Sequence, residues 1–259
     1  MITKEKIKEL AKEYKINESI VAREFIQLTF LKELYAEKFS KDIFFKGGTA
    51  IRLLYGGKRF SEDLDFTVQI PEDEFLENIQ KLFKKLEKQY PFGFKERDTL
   101  AGKTFLLTAN IPFLKSNVFV KLDFSMRENV IQPTINTLKT DYPIIIQSYI
   151  HSLGKNELLA EKIRAILKRN KDRDLYDLWI LQELGAKIDK EMIMKKLEYY
   201  GETFEKKLLL NRLDIFTKEN FIKDLRPFVP INERDNLGEL YQYVMDYLKK
   251  SFELITDGR

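Results

Sequence analysis

The sequence contains no cysteine and a single histidine among its 259 residues. The absence of cysteine excludes disulfide bonds and thiolate metal sites. One histidine cannot build a histidine-based triad or a zinc site with several histidines. His151 is therefore expected to be structural or solvent-facing rather than catalytic. Any chemistry in this chain must use carboxylates, lysines and arginines.

Long apolar runs and a strong charge imbalance are also missing. No apolar run approaches the roughly 20 residues that a membrane-spanning helix needs, and residues 1–6 are too polar for a signal peptide. We therefore predict a cytoplasmic protein with no membrane partner. The 45 basic and 41 acidic side chains leave a formal charge of +4, which is compatible with a nucleic-acid partner but too small to indicate one.

Hydrophobic periodicity divides the chain into a mixed first part and a helical second part. The mixed part predicts an α+β fold, in which a mixed sheet carries flanking helices, and from Gly154 onward the pattern is helical almost to the end. We predict two domains without a flexible linker, a core over residues 1–150 and a helical domain over residues 151–259. Within the core we expect two helices over 3–40, a helix over 72–90 and a hairpin formed by 103–113 and 117–126.

The most informative pattern is a glycine pair followed by two closely spaced aspartates. Gly47 and Gly48 come directly after an apolar strand-like run, and Asp63 and Asp65 lie on the next predicted strand. Carboxylates at i and i+2 of a strand project from one face and suit Mg²⁺, which prefers oxygen ligands. Bare amides at a helix N-terminus suit phosphate. Each pattern alone is more often a surface acid pair or a turn, but their order predicts a metal and nucleoside triphosphate site.

A third acid, Asp123, lies on a predicted strand that is otherwise largely apolar. Strand alternation places Phe119, Lys121 and Asp123 on one face. If this strand lies beside the strand of Asp63 and Asp65, the three carboxylates converge. They could then hold metal ions and assist deprotonation of an attacking hydroxyl. The alternative is a strand-edge aspartate paired with a lysine.

The second part of the chain carries a basic helix followed by an acidic one. Lys162 and Arg169 lie at the margin of the buried stripe of the first helix, where a lysine can bury its stem and extend its ammonium group. Asp174 and Asp177 flank the buried face of the second helix. We expect them to orient the lysine or arginines, or to contact nucleotide or metal; a purely structural ion-pair network is the competing interpretation. The remaining charges of the first helix are expected to face away from its buried stripe: Glu161, Arg164 and Lys168.

Three segments, in this order, resemble one known family. They are Phe45-Lys46-Gly47-Gly48-Thr49-Ala50, then Arg59-Phe60-Ser61-Glu62-Asp63-Leu64-Asp65-Phe66, then the spaced set Lys162, Arg169, Asp174 and Asp177. Together they are similar to the AbiEii-type nucleotidyltransferases, the toxins of type IV toxin–antitoxin (abortive infection) pairs, with the MenT toxins as relatives. The resemblance runs over residues 43–184. It implies a DNA polymerase beta-like nucleotidyltransferase core followed by a helical C-terminal lobe.

The resemblance also implies an activity and its partners. The expected reaction is Mg²⁺-dependent transfer of a nucleoside monophosphate from an NTP to an acceptor hydroxyl. The expected acceptor is the 3′ end of tRNA or another RNA, and a cognate antitoxin is the expected protein partner. Transfer to a small molecule or a protein, and a nucleotide-binding module without catalysis, are the alternatives.

Individual roles follow from the positions that match the family. Gly47 and Gly48 correspond to the phosphate-binding turn, where the wider superfamily often has Gly-Ser. Lys162 corresponds to an essential lysine, and Asp174 or Asp177 to a late essential aspartate. The expected catalytic residues are Asp63, Asp65, Asp123, Lys162, Asp174 and Asp177; the expected metal ligands are Asp63, Asp65 and Asp123; and the expected nucleotide contacts are Lys46, Gly47, Gly48, Thr49, Arg59, Ser61, Lys162 and Arg169.

Overall fold

The computed structural model describes residues 1–98 and 102–255, so residues 256–259 of the predicted second domain lie outside the described part. The chain forms two compact units. The sheet unit comprises Met1–Leu54 and Phe60–Leu153, and the helical unit comprises Tyr55–Arg59 and Gly154–Arg259. Within the described ranges, every helix is too short or too polar to span a bilayer.

A mixed sheet forms the centre of the sheet unit. Its strands, within the described residues, are β1 (Ile43–Lys46), β2 (Leu64–Val68), β3 (Phe92–Arg97), β4 (Lys103–Ala109), β5 (Val118–Ser125), β6 (Pro133–Asn136) and β7 (Ile150–Leu153). They are ordered β3-β4-β5-β2-β1-β7-β6. The pairs β2–β5 and β1–β7 are parallel, and the other neighbours are antiparallel. The predicted hairpin is β4 with β5, whereas β3, β6 and β7 were not predicted.

Helices accompany the sheet, and local signals explain where they begin. The helices are α1 (Lys4–Glu13), α2 (Glu18–Tyr35), α3 (Gly47–Tyr55) and α4 (Glu72–Gln89). The side chain of Thr3 caps α1 by accepting a hydrogen bond from the backbone N–H of Lys6. Helix α4 follows Pro71, and three acids in its first turn complement the positive end of the helix dipole.

The core of the sheet unit lies on one face of β2 and β5. Phe66 of β2 stacks on Phe124 of β5 with ring centroids 4.8 Å apart. Phe30 of α2 and Phe75 of α4 pack against this pair. Side chains alternate along a strand, so burial of Phe66 and Phe124 directs the neighbouring Asp65 to the opposite face.

The helical unit is built from α5 (Lys155–Lys168), α6 (Arg173–Glu183), α7 (Lys190–Glu198), α8 (Lys206–Leu213), α9 (Lys218–Leu225) and α10 (Leu237–Glu253). Helix α5 packs against α6, α7 and α8, while α10 packs against α6, α8 and α9. Leu159 and Ile163 form the buried stripe of α5, as its periodicity predicts.

One prediction about α5 is wrong. Glu161 was expected to face away from the buried stripe, but it is buried and its Oε1 lies 3.3 Å from Nζ of Lys196 on α7. Glu157, one turn earlier, lies 2.6 Å from the same ammonium group. The packing of α7 onto a second side of α5 buries this face, and a helical wheel of α5 alone cannot include that neighbour.

Candidate active site

The glycine pair lies where β1 passes directly into α3. Gly47 has a φ of +78°, in the left-handed region that favours glycine. A Cβ atom built at Gly47 would lie 2.2 Å from Oδ2 of Asp65. Position 47 therefore requires glycine both for its backbone conformation and because the Asp65 carboxylate fills the adjacent space. This carboxylate lies against the N-terminal turn of α3, where amides suited to phosphate are expected.

Gly47→Ala is expected to lower the free energy of unfolding by more than Gly56→Ala does. Gly56 has a φ of +80°, but no atom lies within 4 Å of a Cβ built there, so this control carries the backbone strain alone. Such strain costs about 1–3 kcal/mol. Gly47→Ala adds the clash with Asp65. Urea denaturation of both variants measures the difference, and equal losses would contradict a tight contact between position 47 and Asp65.

Parallel pairing of β2 with β5 brings the acids of the two strands together. Asp65 of β2 lies opposite Asp123 of β5. The charges of Asp63, which directly precedes β2, and of Asp65 act on Lys121 of β5. We call Asp63, Asp65, Lys121 and Asp123 the charged quartet. The strands β2 and β5 are therefore neighbours, which is the condition under which the three carboxylates were expected to converge. The catalytic roles of these residues stay predictions.

Lys121 neutralises part of the charged quartet. Its Nζ lies 2.9 Å from Oδ2 of Asp123, which is the lysine pairing considered as the alternative for this aspartate. Burial lowers the pKa of Lys121, but the hydrogen bond and charge of Asp123, together with the charges of Asp63 and Asp65, raise that pKa above its ordinary value. Lys121 therefore stays positively charged and interacts with all three carboxylates.

Asp63 and Asp65 are the predicted ligands of a magnesium ion. Asp63 and Asp65 supply carboxylate oxygens two positions apart, and Mg²⁺ takes such hard ligands together with phosphate oxygens. In the part of the chain that the structure describes, no three acidic or histidine side chains form a preformed ligand set. Asp123 is instead bound to Lys121. Lys46, the last residue of β1, lies opposite Asp65 and adds a buried positive charge to this region. A role of Asp123 as third ligand stays a prediction.

Backbone contacts connect the glycine turn to the Asp-x-Asp segment. The hydroxyl of Thr49 on α3 donates a hydrogen bond to the backbone carbonyl of Asp63. The backbone carbonyl of Ser61 accepts a hydrogen bond of 3.1 Å from the side-chain amide of Gln27 on α2. These bonds fix the approach of the chain to β2. Contacts with nucleotide stay predictions for Lys46, Gly47, Gly48, Thr49 and Ser61.

A second charged group lies within the helical unit. Arg59 donates two hydrogen bonds of 2.6 Å, one to each carboxylate oxygen of Asp177. Nζ of Lys162 lies 2.7 Å from Oδ1 of Asp174 and 2.7 Å from Oδ2 of Asp177. Arg169 binds Asp174 with hydrogen bonds of 2.8 and 3.1 Å. We call these five residues the ion-pair chain; three cations alternate with two anions, so one positive charge is in excess.

The members of the ion-pair chain keep each other ionised. Burial raises the pKa of Asp174, but Lys162 and Arg169 hold it well below its ordinary value. Burial also raises the pKa of Asp177, and the charges of Arg59 and Lys162 lower it below the ordinary value. Burial lowers the pKa of Lys162, while the two aspartates raise it above the ordinary value. The two acids contact the lysine and both arginines, and their role in orienting these cations for the reaction stays a prediction.

Roles in transfer remain predictions for the ion-pair chain. Arg59 and Lys162 are buried and each is bound to a carboxylate. The side chain of Arg169 is 48 % exposed, so its guanidinium group reaches solvent while it binds Asp174. Nucleotide contacts of Arg59, Lys162 and Arg169 and catalytic roles of Asp174 and Asp177 stay predictions.

Two features of these sites were not singled out in the sequence. Lys121 was placed on the face of Asp123 but was not included among the site residues, although strand alternation alone aligned the two. The partnership of Arg59 with Asp177 joins positions that are 118 residues apart. No local signal in the sequence indicates that pairing, because it depends on where the segment 55–59 packs within the helical unit.

The fold is shared with solved structures. The structure is similar to MenT4, a nucleotidyltransferase toxin of Mycobacterium tuberculosis, with a TM-score of 0.75 at 18 % identity, covering 99 % of this chain and 91 % of that chain. It is also similar to JHP933 of Helicobacter pylori, with a TM-score of 0.50 at 20 % identity, covering 91 % of this chain and 95 % of that chain. The predicted α+β nucleotidyltransferase fold is confirmed.

Sequence comparison places the chain in a family. The family described as "Nucleotidyl transferase AbiEii toxin, Type IV TA system" matches residues 29–245. An uncharacterized protein of Aquifex aeolicus is 29 % identical over 192 residues, which cover 68 % of this chain and 82 % of that protein. The chain belongs to the AbiEii nucleotidyltransferase toxin family of type IV toxin–antitoxin systems, and it is a nucleotidyltransferase. The resemblance inferred from its three segments is confirmed.

Proposed function

We propose that this toxin uses Mg²⁺ to transfer a nucleoside monophosphate from an NTP to a hydroxyl at the 3′ end of tRNA. The observation that carries the proposal is the Asp65 carboxylate, which lies against the glycine turn at the start of α3 and opposite Asp123 of β5. Carboxylates provide ligands for a metal ion, and the phosphate-binding amides beside them provide a binding site for a triphosphate.

The proposed reaction is an in-line displacement at phosphorus. The acceptor hydroxyl oxygen bonds to the α-phosphorus, the bond from that phosphorus to the oxygen bridging to the β-phosphate breaks, and pyrophosphate leaves with the electron pair. Asp123 accepts the hydroxyl proton. Asp63 and Asp65 would hold the Mg²⁺, which supplies Lewis-acid stabilisation of the charge that develops on the phosphates. The amides of Gly47 and Gly48 and the ammonium group of Lys46 bind phosphate oxygens.

Cations of the helical unit support an RNA acceptor. The side chains of Lys168 and Arg169, at the end of α5, are 38 % and 48 % exposed. Exposed lysines and arginines contact nucleic-acid phosphates irrespective of base sequence. In this proposal Lys162 and Arg169 bind the nucleotide, and Asp174 and Asp177 orient them. The toxin acts in the cytoplasm, and a cognate antitoxin neutralises it there.

Incubation of the purified protein with total tRNA, Mg²⁺ and each α-labelled NTP in turn tests the proposal. Label is expected in tRNA with at least one NTP, and none is expected with Asp65→Asn. Removal of the metal with EDTA should abolish labelling, and added Mg²⁺ should restore it. Nuclease digestion from the 3′ end should release the label first, because the proposed acceptor is the terminal hydroxyl.

Other outcomes would identify a different function. Label on a protein or a small molecule would show that the transfer reaction takes place but that the acceptor is not tRNA. Label in tRNA that persists in EDTA would contradict the role of the metal. Absence of label on every acceptor, together with an NTP-dependent rise in melting temperature, would indicate a nucleotide-binding module without catalysis.

A further inference from the structure

An arginine of α8 holds the end of α5. Arg212 is half-buried, and its Nε donates a hydrogen bond of 2.9 Å to the backbone carbonyl of Ile166. Its Nη2 donates to the backbone carbonyl of Arg169 at 3.3 Å and to Oδ1 of Asn170 at 2.6 Å. These three acceptors are uncharged and lie within the segment 166–170. One guanidinium group therefore binds the last turn of α5 and the residues that follow it.

The segment 166–170 is where the chain leaves α5. The helix ends at Lys168, and the backbone of Arg169 is extended, with a φ of −145° and a ψ of 163°. The last carbonyls of a helix have no partner within the helix, so they need donors from elsewhere. A cation at this end also interacts favourably with the negative end of the helix dipole. Arg212 supplies both, because its planar group presents several donors in a fixed geometry.

Arg169 is held both by its backbone and by its side chain. Arg212 binds its backbone carbonyl, and its guanidinium group donates hydrogen bonds of 2.8 and 3.1 Å to the two carboxylate oxygens of Asp174. Asp174 is buried at the start of α6, whereas the Arg169 side chain reaches solvent. The position of this guanidinium group therefore depends on the path by which the chain leaves α5, and Arg212 contacts that path directly.

We propose that Arg212 is a positioning residue for Arg169, and that it holds the end of α5 so that the guanidinium group of Arg169 lies where it binds the NTP. The inference rests on the proposed function, in which Arg169 is a nucleotide contact. Arg212 acts through the carbonyls of the segment 166–170 and does not itself touch the nucleotide. Loss of its hydrogen bonds lets this segment move, and a misplacement of about 1 Å can cost about a hundredfold.

Titration calorimetry with ATP, GTP, CTP and UTP in turn tests the inference without an activity measurement. Arg169→Met is expected to weaken binding of the preferred NTP by about ten- to a hundredfold, because it removes a hydrogen bond from a charged group. Arg212→Met is expected to weaken it by about tenfold, since Arg169 remains but is misplaced. In the transfer assay, KM for that NTP should rise by a similar factor while kcat stays within about twofold of the wild type.

A double variant shows whether Arg212 acts through Arg169. Arg212→Met combined with Arg169→Met should bind the NTP as weakly as Arg169→Met alone, because the group that Arg212 positions is absent. An arginine that stabilises only the fold would lower the melting temperature and leave the affinity of the folded protein unchanged. Circular dichroism therefore sets a titration temperature at which every variant is folded.

Three further variants separate position from charge. Arg212→Lys keeps the charge but cannot reach the three acceptors with one ammonium group, so it should bind the NTP about as weakly as Arg212→Met. Asn170→Ala removes the 2.6 Å contact at an exposed residue and should weaken binding by about two- to threefold. Arg234→Met is the matched control, because Arg234 is also a half-buried arginine of the helical unit and donates to the backbone carbonyl of Val229. It should bind the NTP as the wild type does.

Several results would overturn the inference. Wild-type affinity in Arg212→Met would show that the contact serves the fold alone. Wild-type affinity in Arg212→Lys, with a loss in Arg212→Met, would show that Arg212 acts by its charge. Additive losses in the double variant would show that it does not act through Arg169.

Failure of the inference is distinguishable from failure of the proposed function. Wild-type affinity in Arg169→Met would remove Arg169 from the nucleotide contacts and end the inference, while label transfer to tRNA would still support the proposed reaction. Absence of binding of every NTP to the wild type would contradict both.

Discussion

Asp65→Asn is expected to slow nucleotide transfer by about a thousandfold while the protein stays folded. Neutralising a metal ligand removes several kcal/mol of transition-state stabilisation, and each 1.36 kcal/mol corresponds to about a tenfold change in rate. Asparagine has nearly the shape of aspartate, so it preserves the close contact with Gly47. The protein should remain folded, which circular dichroism of the variant checks.

Transfer rates at saturating NTP, measured beside Glu62→Gln, check this prediction. Glu62 is the acid between Ser61 and Asp63, and it pairs with Arg23 at a distance of 3.1 Å, outside the charged quartet. Glu62→Gln changes the same formal charge in the same segment and should keep nearly full activity. If Asp65→Asn retains activity within tenfold of the wild type, the proposed metal site is wrong. Equal losses in both variants would show a general charge effect.

Asp177→Asn is expected to lower the free energy of unfolding by about 3–5 kcal/mol. The Asp177 side chain is 2 % exposed and binds both Arg59 and Lys162. With asparagine at position 177, the ion-pair chain keeps its three cations, Arg59, Lys162 and Arg169. Asp174 is then the one anion left within this chain of five residues. Uncompensated buried charge is costly, whereas an exposed ion pair contributes little. Glu77→Gln, which breaks the exposed Glu77–Lys81 pair, is the control and should unfold as the wild type does.

The effect of Asp177→Asn should depend on pH in a defined direction. The pKa of Asp177 is lower in the folded protein than its ordinary value of 3.8, because Arg59 and Lys162 overcome the effect of burial. The stabilisation is therefore complete above that ordinary value and is lost as the pH falls through the lower folded pKa. Urea denaturation at a series of pH values should show the gap between wild type and variant narrowing below about pH 4. A gap that stays constant into acid would exclude ionisation of Asp177 as its origin.

Loss of stability and loss of transfer can be separated at Lys162. If Lys162 acts on the nucleotide, Lys162→Met should lose transfer at temperatures where the variant remains folded. If the lysine is structural alone, the folded fraction of the variant should transfer at the wild-type rate. This comparison decides whether Lys162 acts on the nucleotide or only stabilises the helical unit.

Local patterns were sufficient for the features of the site that lie within a short segment. The passage from strand to helix at Gly47 and Gly48 depends on a few neighbouring residues, because backbone conformation is a short-range property. Periodicity likewise identified the helices around the sheet and the buried stripe of α5. It did not identify β3, β6 and β7, which carry no strong alternating pattern of apolar residues of their own.

By itself, the sequence determined the strand-to-helix turn at the glycine pair and the family. The tertiary structure decided which charges meet. The register of β2 against β5 placed Asp65 beside Asp123. The packing of segment 55–59 in the helical unit brought Arg59 to Asp177, and α7 buried Glu161 against Lys196. The physical reason is that a buried charge must find its partner in space, and chain packing rather than sequence spacing determines which partner is within reach.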